Sequence, residues 1–269
     1  MKALGFTLIE MIMAMVLLSI VGLSLAGIIT QSAQIYVDTA ARELILQEGR
    51  FVAERIVREL RLAVPNSVVL SQPDPLHSTK YTCIEWVPVR ASGIYSDLPL
   101  TPENELTIIP DGTIRKDQRV VIYPTSAVDI FFLAAPVGGE NKTAIILEDV
   151  DFTASTTENM VQLKIAEQTL FPSDSPANRF YVYDTPVAYC IEANQIWRYS
   201  NYALERESVD TPNFFNAERS LMAENVTELE FNTSHATLTR NSLVKFHLII
   251  SARGEEVRFD HDVLIANAP

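Results

Sequence analysis

The chain begins with a long run of hydrophobic residues. Over residues 6–29 this run contains a single charged side chain, that of Glu10. An α-helix needs about 20 apolar residues to cross the hydrocarbon core of a bilayer, so the run is long enough to span one. Lys2 lies in front of it and favours a cytoplasmic N-terminus. We therefore expect a membrane anchor over residues 6–29.

A helical period continues beyond the anchor. Between residues 41 and 63, apolar side chains recur at steps of three and four, and charged side chains fill most of the other positions. This pattern indicates an amphipathic helix that continues the anchor over residues 30–64. Pro65 begins a Pro-Asn-Ser sequence that ends the pattern. We predict a single helix from residue 6 to about residue 64.

The pattern changes after Pro65, where short runs with strand-like alternation are separated by turn residues. Residues 244–250 and 257–265 alternate in polarity on either side of an Arg-Gly turn, which predicts a hairpin. Residues 65–269 are therefore expected to form a mainly antiparallel β head, so that the fold class is α+β. The other predicted strands are residues 119–123, residues 128–134 paired with 143–147, and residues 181–191 paired with 196–199.

Acidic residues outnumber basic residues in the chain. Lys and Arg together number 21, whereas Asp and Glu number 34, which gives a net charge of −13. A field of this sign repels phosphate backbones and anionic lipid headgroups. We therefore expect no nucleic-acid partner.

A chain of 269 residues is long enough for the head to bury a core of its own.

The chain has two cysteines, Cys83 and Cys190. They form no CxxC motif, and they follow a segment that would carry them out of the cytoplasm. A single structural disulfide is the natural interpretation, with two free buried thiols as the alternative. If the bond forms, it closes a loop of roughly 100 residues and favours the fold by about 4–5 kcal/mol.

Side chains that could perform catalysis or bind a metal are scattered along the chain. The sequence contains no HExxH, no GxSxG, no glycine-rich phosphate loop and no cluster of Cys and His at metal-binding spacing. Glu148, Asp149 and Asp151 could contact Ca²⁺, but they are more typical of a solvated turn. We therefore expect no active site, no cofactor and no metal. The four histidines lie far apart, at His77, His235, His247 and His261.

Glu10 lies inside the apolar run, although a carboxylate costs about 2.5–3.5 kcal/mol near the bilayer centre. A charge at this place argues against a secretory signal peptide, which would be cleaved after the apolar run. The residues from Gly5 to Glu10, GFTLIE, resemble the class III signal of type IV pilins and type II secretion pseudopilins. The resemblance implies that prepilin peptidase cleaves between Gly5 and Phe6, so that residues 1–5 are a leader and Phe6 becomes N-methylated. It also implies that Glu10 acts in assembly, by meeting the terminal amine of a neighbouring subunit.

A second resemblance is carried by residues 50–55, 59–67, 81–85, 181–183, 186–190 and 261–269. These segments resemble the O-type minor pilins of the mannose-sensitive haemagglutinin (MSHA) pilus and, more distantly, J-type pseudopilins and W-type minor pilins. The resemblance implies a type IV pilin-like fold and a role in initiating the pilus, at or near its tip. The implied partners are prepilin peptidase, other minor pilins, the major pilin, the inner membrane and the pilus assembly platform. The implied location is the inner membrane, with a periplasmic head, and then the pilus.

Three other functions remain open from the sequence. The chain could be a minor pseudopilin that primes a periplasmic secretion filament by the same chemistry. It could be a tip adhesin whose β head itself binds a receptor. It could also be a periplasmic protein with a single membrane anchor that enters no filament.

Overall fold

The computed structural model of the protein describes residues 7–71, 83–98, 101–132, 141–151, 160–204, 206, 208–209, 211–234 and 242–265. It consists of a long N-terminal helix followed by a β-rich head. The paired strands of the head run antiparallel. The fold is therefore of the α+β, pilin-like class that the sequence predicts.

Helix α1 spans Leu8–Leu60. Thr7 caps its N-terminus, because the Thr7 hydroxyl accepts a hydrogen bond from the Glu10 N–H at 3.4 Å and the Glu10 carboxylate accepts one from the Thr7 N–H. The helix ends at Leu60, earlier than the end at about residue 64 that the sequence pattern predicts. The reason is that the Val64 N–H donates to the Val87 carbonyl at 2.8 Å. The chain therefore joins the head as an extended segment instead of adding another helical turn.

Within the described residues the head has fourteen strands in three sheets. In chain order they are β1 (Val69–Ser71), β2 (Cys83–Trp86), β3 (Ala91–Tyr95), β4 (Glu103–Asp111), β5 (Arg119–Ile122), β6 (Thr143–Ile145), β7 (Val161–Thr169), β8 (Arg179–Tyr183), β9 (Val187–Glu192), β10 (Gln195–Ser200), β11 (Glu218–Ala223), β12 (Val226–Ser234), β13 (Ser242–Ala252) and β14 (Glu255–Ile265). The sheets have the strand orders β1-β2-β9-β10-β11, β12-β13-β14 and β6-β5-β8-β3-β4-β7. A short helix, α2 (Val128–Phe131), lies between β5 and β6.

The second half of α1 packs against the five-stranded and three-stranded sheets. The buried side chains of the helix all lie between residues 45 and 60. They share one apolar core with Trp86 and Tyr189 of the five-stranded sheet and with Phe246 of the three-stranded sheet. The amphipathic part of the sequence pattern therefore marks the part of α1 that lies under the head.

The hairpin formed by β13 and β14 confirms one strand prediction, and it packs against α1. Its turn residues, Arg253 and Gly254, have φ angles of 54° and 84°, which suit the turns of two-residue hairpins. Phe259 of β14 lies directly against Gly49 of α1. A Cβ atom on Gly49 would be 2.2 Å from the Phe259 ring. Glycine at this position therefore lets the helix and the hairpin approach closely.

We expect Gly49→Ala to lower the free energy of unfolding by up to about 2 kcal/mol, because overpacking costs about 1–3 kcal/mol and the better helix propensity of alanine offsets about 1 kcal/mol. Urea unfolding of the detergent-solubilised chain, followed by tryptophan fluorescence, measures the change. Gly22→Ala is the matched control, because no atom lies within 4 Å of a Cβ at Gly22. Equal unfolding midpoints for the two variants would contradict the close packing at Gly49.

The six-stranded sheet closes into a barrel. Ile146, directly after the edge strand β6, forms a bridge with Ile165 of the other edge strand, β7, and the Leu147 N–H donates to the Lys164 carbonyl at 3.0 Å. Closure joins two edges that would otherwise present unpaired backbone groups. Buried side chains fill the interior, among them Ile108, Val120, Leu163, Phe180 and Val182.

This barrel is an insertion in the five-stranded sheet. Strand β2 precedes the barrel in the chain and β9 follows it, yet β2 and β9 pair directly, with Cys83 opposite Cys190. A separate apolar cluster, which includes Val64, Val121 and Tyr183, attaches the barrel to the segment that follows α1. The chain therefore enters and leaves the barrel at one place.

The strand predicted over residues 128–134 is wrong where the structure describes it, and residues 133 and 134 lie outside the described residues. Residues Val128–Phe131 form α2 instead, because the Asp129 carboxylate accepts the N–H groups of Thr125 and Ser126 at 2.8 Å and 3.0 Å and folds the preceding turn. Strand β6, which was expected to pair with this segment, pairs with β5.

The single strand predicted over residues 181–191 is also wrong, because these residues belong to two strands in different sheets. Strand β8 lies in the barrel and β9 lies in the five-stranded sheet. Residues 184–186 separate them, and Pro186 has no N–H to continue a ladder. The predicted pairing with residues 196–199 is confirmed for β9 and β10.

Candidate functional site

Glu10 lies on the exposed first turn of α1. Its Oε2 atom accepts hydrogen bonds from the Thr7 N–H at 3.2 Å and from the Thr7 hydroxyl at 3.0 Å. Among the described residues, the Oε1 atom has no hydrogen-bond partner. Gly5 and Phe6, the predicted cleavage site, lie outside the described residues. One oxygen of the carboxylate is therefore used locally, and the other can accept a hydrogen bond from a further group.

The side chains that follow Glu10 form a long exposed apolar surface. No charged residue occurs from residue 11 to residue 37, and Leu23 and Tyr36 expose 77% and 75% of their surface. None of the most apolar part of α1 is buried against the head, and its length and composition suffice to cross a membrane. Uncharged surface continues past the anchor expected over residues 6–29 and includes Tyr36, a residue type enriched at membrane interfaces.

Three hydroxyl side chains within this surface are satisfied by the helix itself. Ser19, Ser24 and Thr30 each donate to the backbone carbonyl four residues earlier, at 2.8 Å, 3.0 Å and 3.1 Å. A hydroxyl that bonds to its own helix needs no further partner in an apolar environment. Glu10 differs from these three hydroxyl side chains in carrying a charge and in keeping an acceptor atom that the helix does not use.

Cys83 and Cys190 form a disulfide that joins β2 to β9. Both cysteines are fully buried, and they pack with Tyr199 and Tyr202. The ring of Phe214 stacks on Tyr199 with 4.2 Å between the ring centroids. The disulfide therefore lies under an aromatic cover, at the place where the chain enters and leaves the barrel.

A buried ion pair lies on the same face of β2 as Cys83. The Arg206 guanidinium donates to both Glu85 oxygens, at 2.7 Å and 2.6 Å, and the Tyr202 hydroxyl donates to Glu85 at 2.8 Å. The guanidinium also lies 4.0 Å from the centroid of the Phe131 ring. Burial, together with the Glu85 carboxylate, raises the pKa of Tyr202 well above its ordinary value. This pair connects the five-stranded sheet, α2 and the loop before β11.

The sequence pattern did not reveal this ion pair. Glu85 and Arg206 are 121 residues apart, and the polar stretch around Arg206 has the composition of a surface loop. A buried charge in such a stretch becomes recognisable only when its partner is known.

The acidic residues weighed as calcium ligands are matched by basic side chains. Arg115 lies 3.2 Å from Asp149 and 3.0 Å from Asp151. Lys164 lies 3.0 Å from Glu148. All five side chains are largely exposed, so these contacts are those of a solvated turn.

The described histidines have structural contacts. His247 pairs with Asp260 across β13 and β14, and His261 stacks on Phe246 with 5.3 Å between the ring centroids. His77 and His235 lie outside the described residues. In the part of the chain that the structure describes, no group of three or more His, Cys, Asp or Glu side chains is arranged to hold a metal ion.

Residues 1–26 match the family described as the prokaryotic N-terminal methylation motif. No curated protein and no solved structure matches the chain. The motif implies processing by prepilin peptidase and assembly into a filament, and it suggests a structural rather than an enzymatic protein. Together with the exposed apolar helix, the motif supports a membrane-anchored prepilin of the type IV pilin or pseudopilin kind.

Proposed function

We propose that the chain is an O-type minor pilin of an MSHA-type pilus, which acts with other minor pilins in the complex that initiates the filament and remains near its tip. The O-type assignment rests on the resemblance of the segments between residues 50 and 269, and the observation that supports a filament subunit is the division of α1 into two parts. Residues 45–60 contribute all of the buried side chains of the helix, whereas the apolar half toward the N-terminus is exposed. Such a half can contact lipid while the subunit is in the membrane and can pack against neighbouring apolar helices after assembly.

The proposed processing step creates the partner that Glu10 lacks. Cleavage between Gly5 and Phe6 leaves a new α-amine on Phe6, which is then N-methylated. Glu10 lies about one helical turn deeper, and its Oε1 atom is free among the described residues. In assembly, the Glu10 carboxylate of an incoming subunit neutralises the terminal amine of a subunit already in the filament. The desolvation cost of the carboxylate thereby favours docking over free diffusion in the membrane.

We expect deletion of the gene to abolish surface pili, and the wild-type chain but not Glu10→Ala to restore them. Glu10→Ala leaves the terminal amine of the neighbouring subunit without its counter-charge, and the cost of about 2.5–3.5 kcal/mol for such a charge weakens docking about a hundredfold. Electron microscopy counts the pili, and the size of the chain on a gel reports cleavage at Gly5. Glu43→Ala, which removes an exposed carboxylate from the amphipathic half of α1, is the matched control and should restore pili. Full piliation by Glu10→Ala would contradict the proposed role.

The same deletion strain distinguishes the other functions. Normal pili with failed protein export would identify a secretion pseudopilin, an alternative that the methylation motif supports equally. Normal pili with lost adhesion would identify a tip adhesin.

A further inference from the structure

A pocket lies where α1 meets the head. It has a volume of about 410 Å³ and is bounded by the end of α1, the segment before β3, and strands β9 and β10. Leu62, Val89 and Val187 give it an apolar floor, and Arg90, Arg198 and Ser200 contribute its polar side. Leu62 is 60% exposed, so the floor is open to a partner. The pocket thus combines apolar surface with hydrogen-bond donors, as recognition sites commonly do.

The two arginines of the pocket keep their outer nitrogens free. Arg198 donates through Nε to Glu59 at 3.1 Å, and Arg90 donates through Nε to Asp184 at 2.8 Å. Neither side chain makes a hydrogen bond through its Nη atoms to any described residue. Each guanidinium therefore retains Nη donors in the fork geometry that matches a carboxylate.

The pocket is positively charged relative to the rest of the chain. Glu59 also accepts a hydrogen bond from Arg55 at 2.9 Å, and this bond raises the pKa of Arg55. Three guanidinium groups therefore share the carboxylates of Glu59 and Asp184, which leaves one positive charge in excess. The whole chain, by contrast, carries a net charge of −13. A local excess of positive charge in an acidic protein attracts an anionic group to this place.

We propose that this pocket binds a carboxylate side chain, flanked by an apolar residue, from a neighbouring filament subunit. The identity of the partner rests on the proposed function. The Nη groups of Arg90 and Arg198 bind the carboxylate, and the apolar neighbour covers Leu62 and Val89. A carboxylate side chain fits better than free phosphate, because the segment that carries it also brings an apolar neighbour to Leu62 and Val89. The pocket lies beside the end of α1, the helix that the proposed function places among neighbouring subunits.

Peptide binding tests the pocket without requiring a filament. The probe is a short capped peptide with one glutamate between two leucines. It is titrated into the full ¹⁵N-labelled chain in detergent micelles. We expect the Nε–H signals of Arg90 and Arg198 to shift and to saturate, whereas that of Arg61, on the exposed end of the helix, stays unchanged. The same peptide with glutamine in place of glutamate should bind about tenfold more weakly. Equal binding of the two peptides, or stronger binding of inorganic phosphate, would overturn the proposal.

Two substitutions at Arg90 separate binding from folding. Arg90→Gln should weaken binding of the glutamate peptide about tenfold. Arg90→Lys keeps the charge beside Asp184 but removes the fork, so its affinity should lie between that of Arg90→Gln and that of the wild type. Arg61→Gln is the matched control and should bind as the wild type does. Circular dichroism confirms that each variant is folded, and unchanged affinity in a folded Arg90→Gln would refute the site.

Crosslinking in the bacterium identifies the partner. A photocrosslinking amino acid at Leu62 should form an adduct with another pilin subunit, and the crosslinked segment should contain an acidic residue next to an apolar one. Arg90→Gln should reduce the adduct, whereas Arg61→Gln should not. An adduct on a segment without an acidic residue would overturn the assignment of the partner. If the deletion strain keeps its pili, the proposed function fails, whereas the peptide titration still decides whether the pocket binds a carboxylate.

Discussion

Replacing Cys83 and Cys190 together with serine is expected to lower the free energy of unfolding by about 4–5 kcal/mol. The bonded residues are 107 positions apart, so the bond removes a large amount of conformational entropy from the unfolded chain. Both positions are fully buried, and two serine hydroxyls there add a desolvation cost. Urea unfolding of the oxidised wild type and of the double variant, followed by tryptophan fluorescence, measures the difference.

The control for this experiment is the wild-type chain unfolded in a dithiol reductant. It should lose about as much stability as the serine variant, because it lacks the same covalent bond. If the serine variant unfolded at the same urea concentration as the oxidised wild type, the bond would contribute nothing to the stability of the head.

Arg206→Met is expected to lower the free energy of unfolding by about 3–5 kcal/mol, because it leaves the buried Glu85 carboxylate without its cation. The side chains of Arg206 and Glu85 expose 1% and 0% of their surface. The double variant Glu85→Leu with Arg206→Met should recover much of this loss, since well-packed apolar residues often replace a buried ion pair without net cost. Urea unfolding of the two single variants, the double variant and the wild type gives the coupling energy.

Arg115→Met is the matched control for Arg206→Met. Arg115 also pairs with a carboxylate, that of Asp149, but both side chains are more than half exposed, and exposed pairs contribute about 0–1 kcal/mol. A cost for Arg206→Met no greater than that for Arg115→Met would show that burial of the Glu85 pair has no energetic weight.

The parts of the fold that were predicted correctly have local causes. The long helix follows from the apolar run and the amphipathic period, and both lie within consecutive residues. The final hairpin follows from alternation on either side of Arg253 and Gly254, whose positive φ angles belong to the turn itself. In these elements the contacts that form the structure join residues that are close in the sequence, so the pattern predicts the structure.

The parts that were missed depend on distant contacts. Residues 181–191 are apolar on either side of the Asp184-Thr185-Pro186 break, and apolarity alone cannot assign the two halves to a barrel strand and to a strand of another sheet. The short helix α2 is a local exception, because Asp129 accepts the N–H groups of Thr125 and Ser126 and folds the preceding turn. Closure of the barrel depends on a meeting of Ile146 with Ile165, which no local pattern reveals.

The candidate site shows the same division. Glu10 could be predicted, because its charge stands out within an apolar run and lies in a short motif. The carboxylate pocket could not, because its lining comes from four separate segments between residues 59 and 201. In the sequence Arg90 and Arg198 are indistinguishable from ordinary surface residues. The structure shows that they line one pocket with apolar side chains and that their Nη atoms have no hydrogen-bond partner among the described residues.

The paired strands β2 and β9 give the head an unusual response to mechanical load. A force that pulls between the anchor and the C-terminal hairpin passes from Cys83 to Cys190 through their covalent bond, and so it does not load the barrel strands in series. The 107-residue separation corresponds to a contour length of about 370 Å that cannot be released while the bond is intact. The barrel can therefore keep its shape under such a load, because the tension does not run through it.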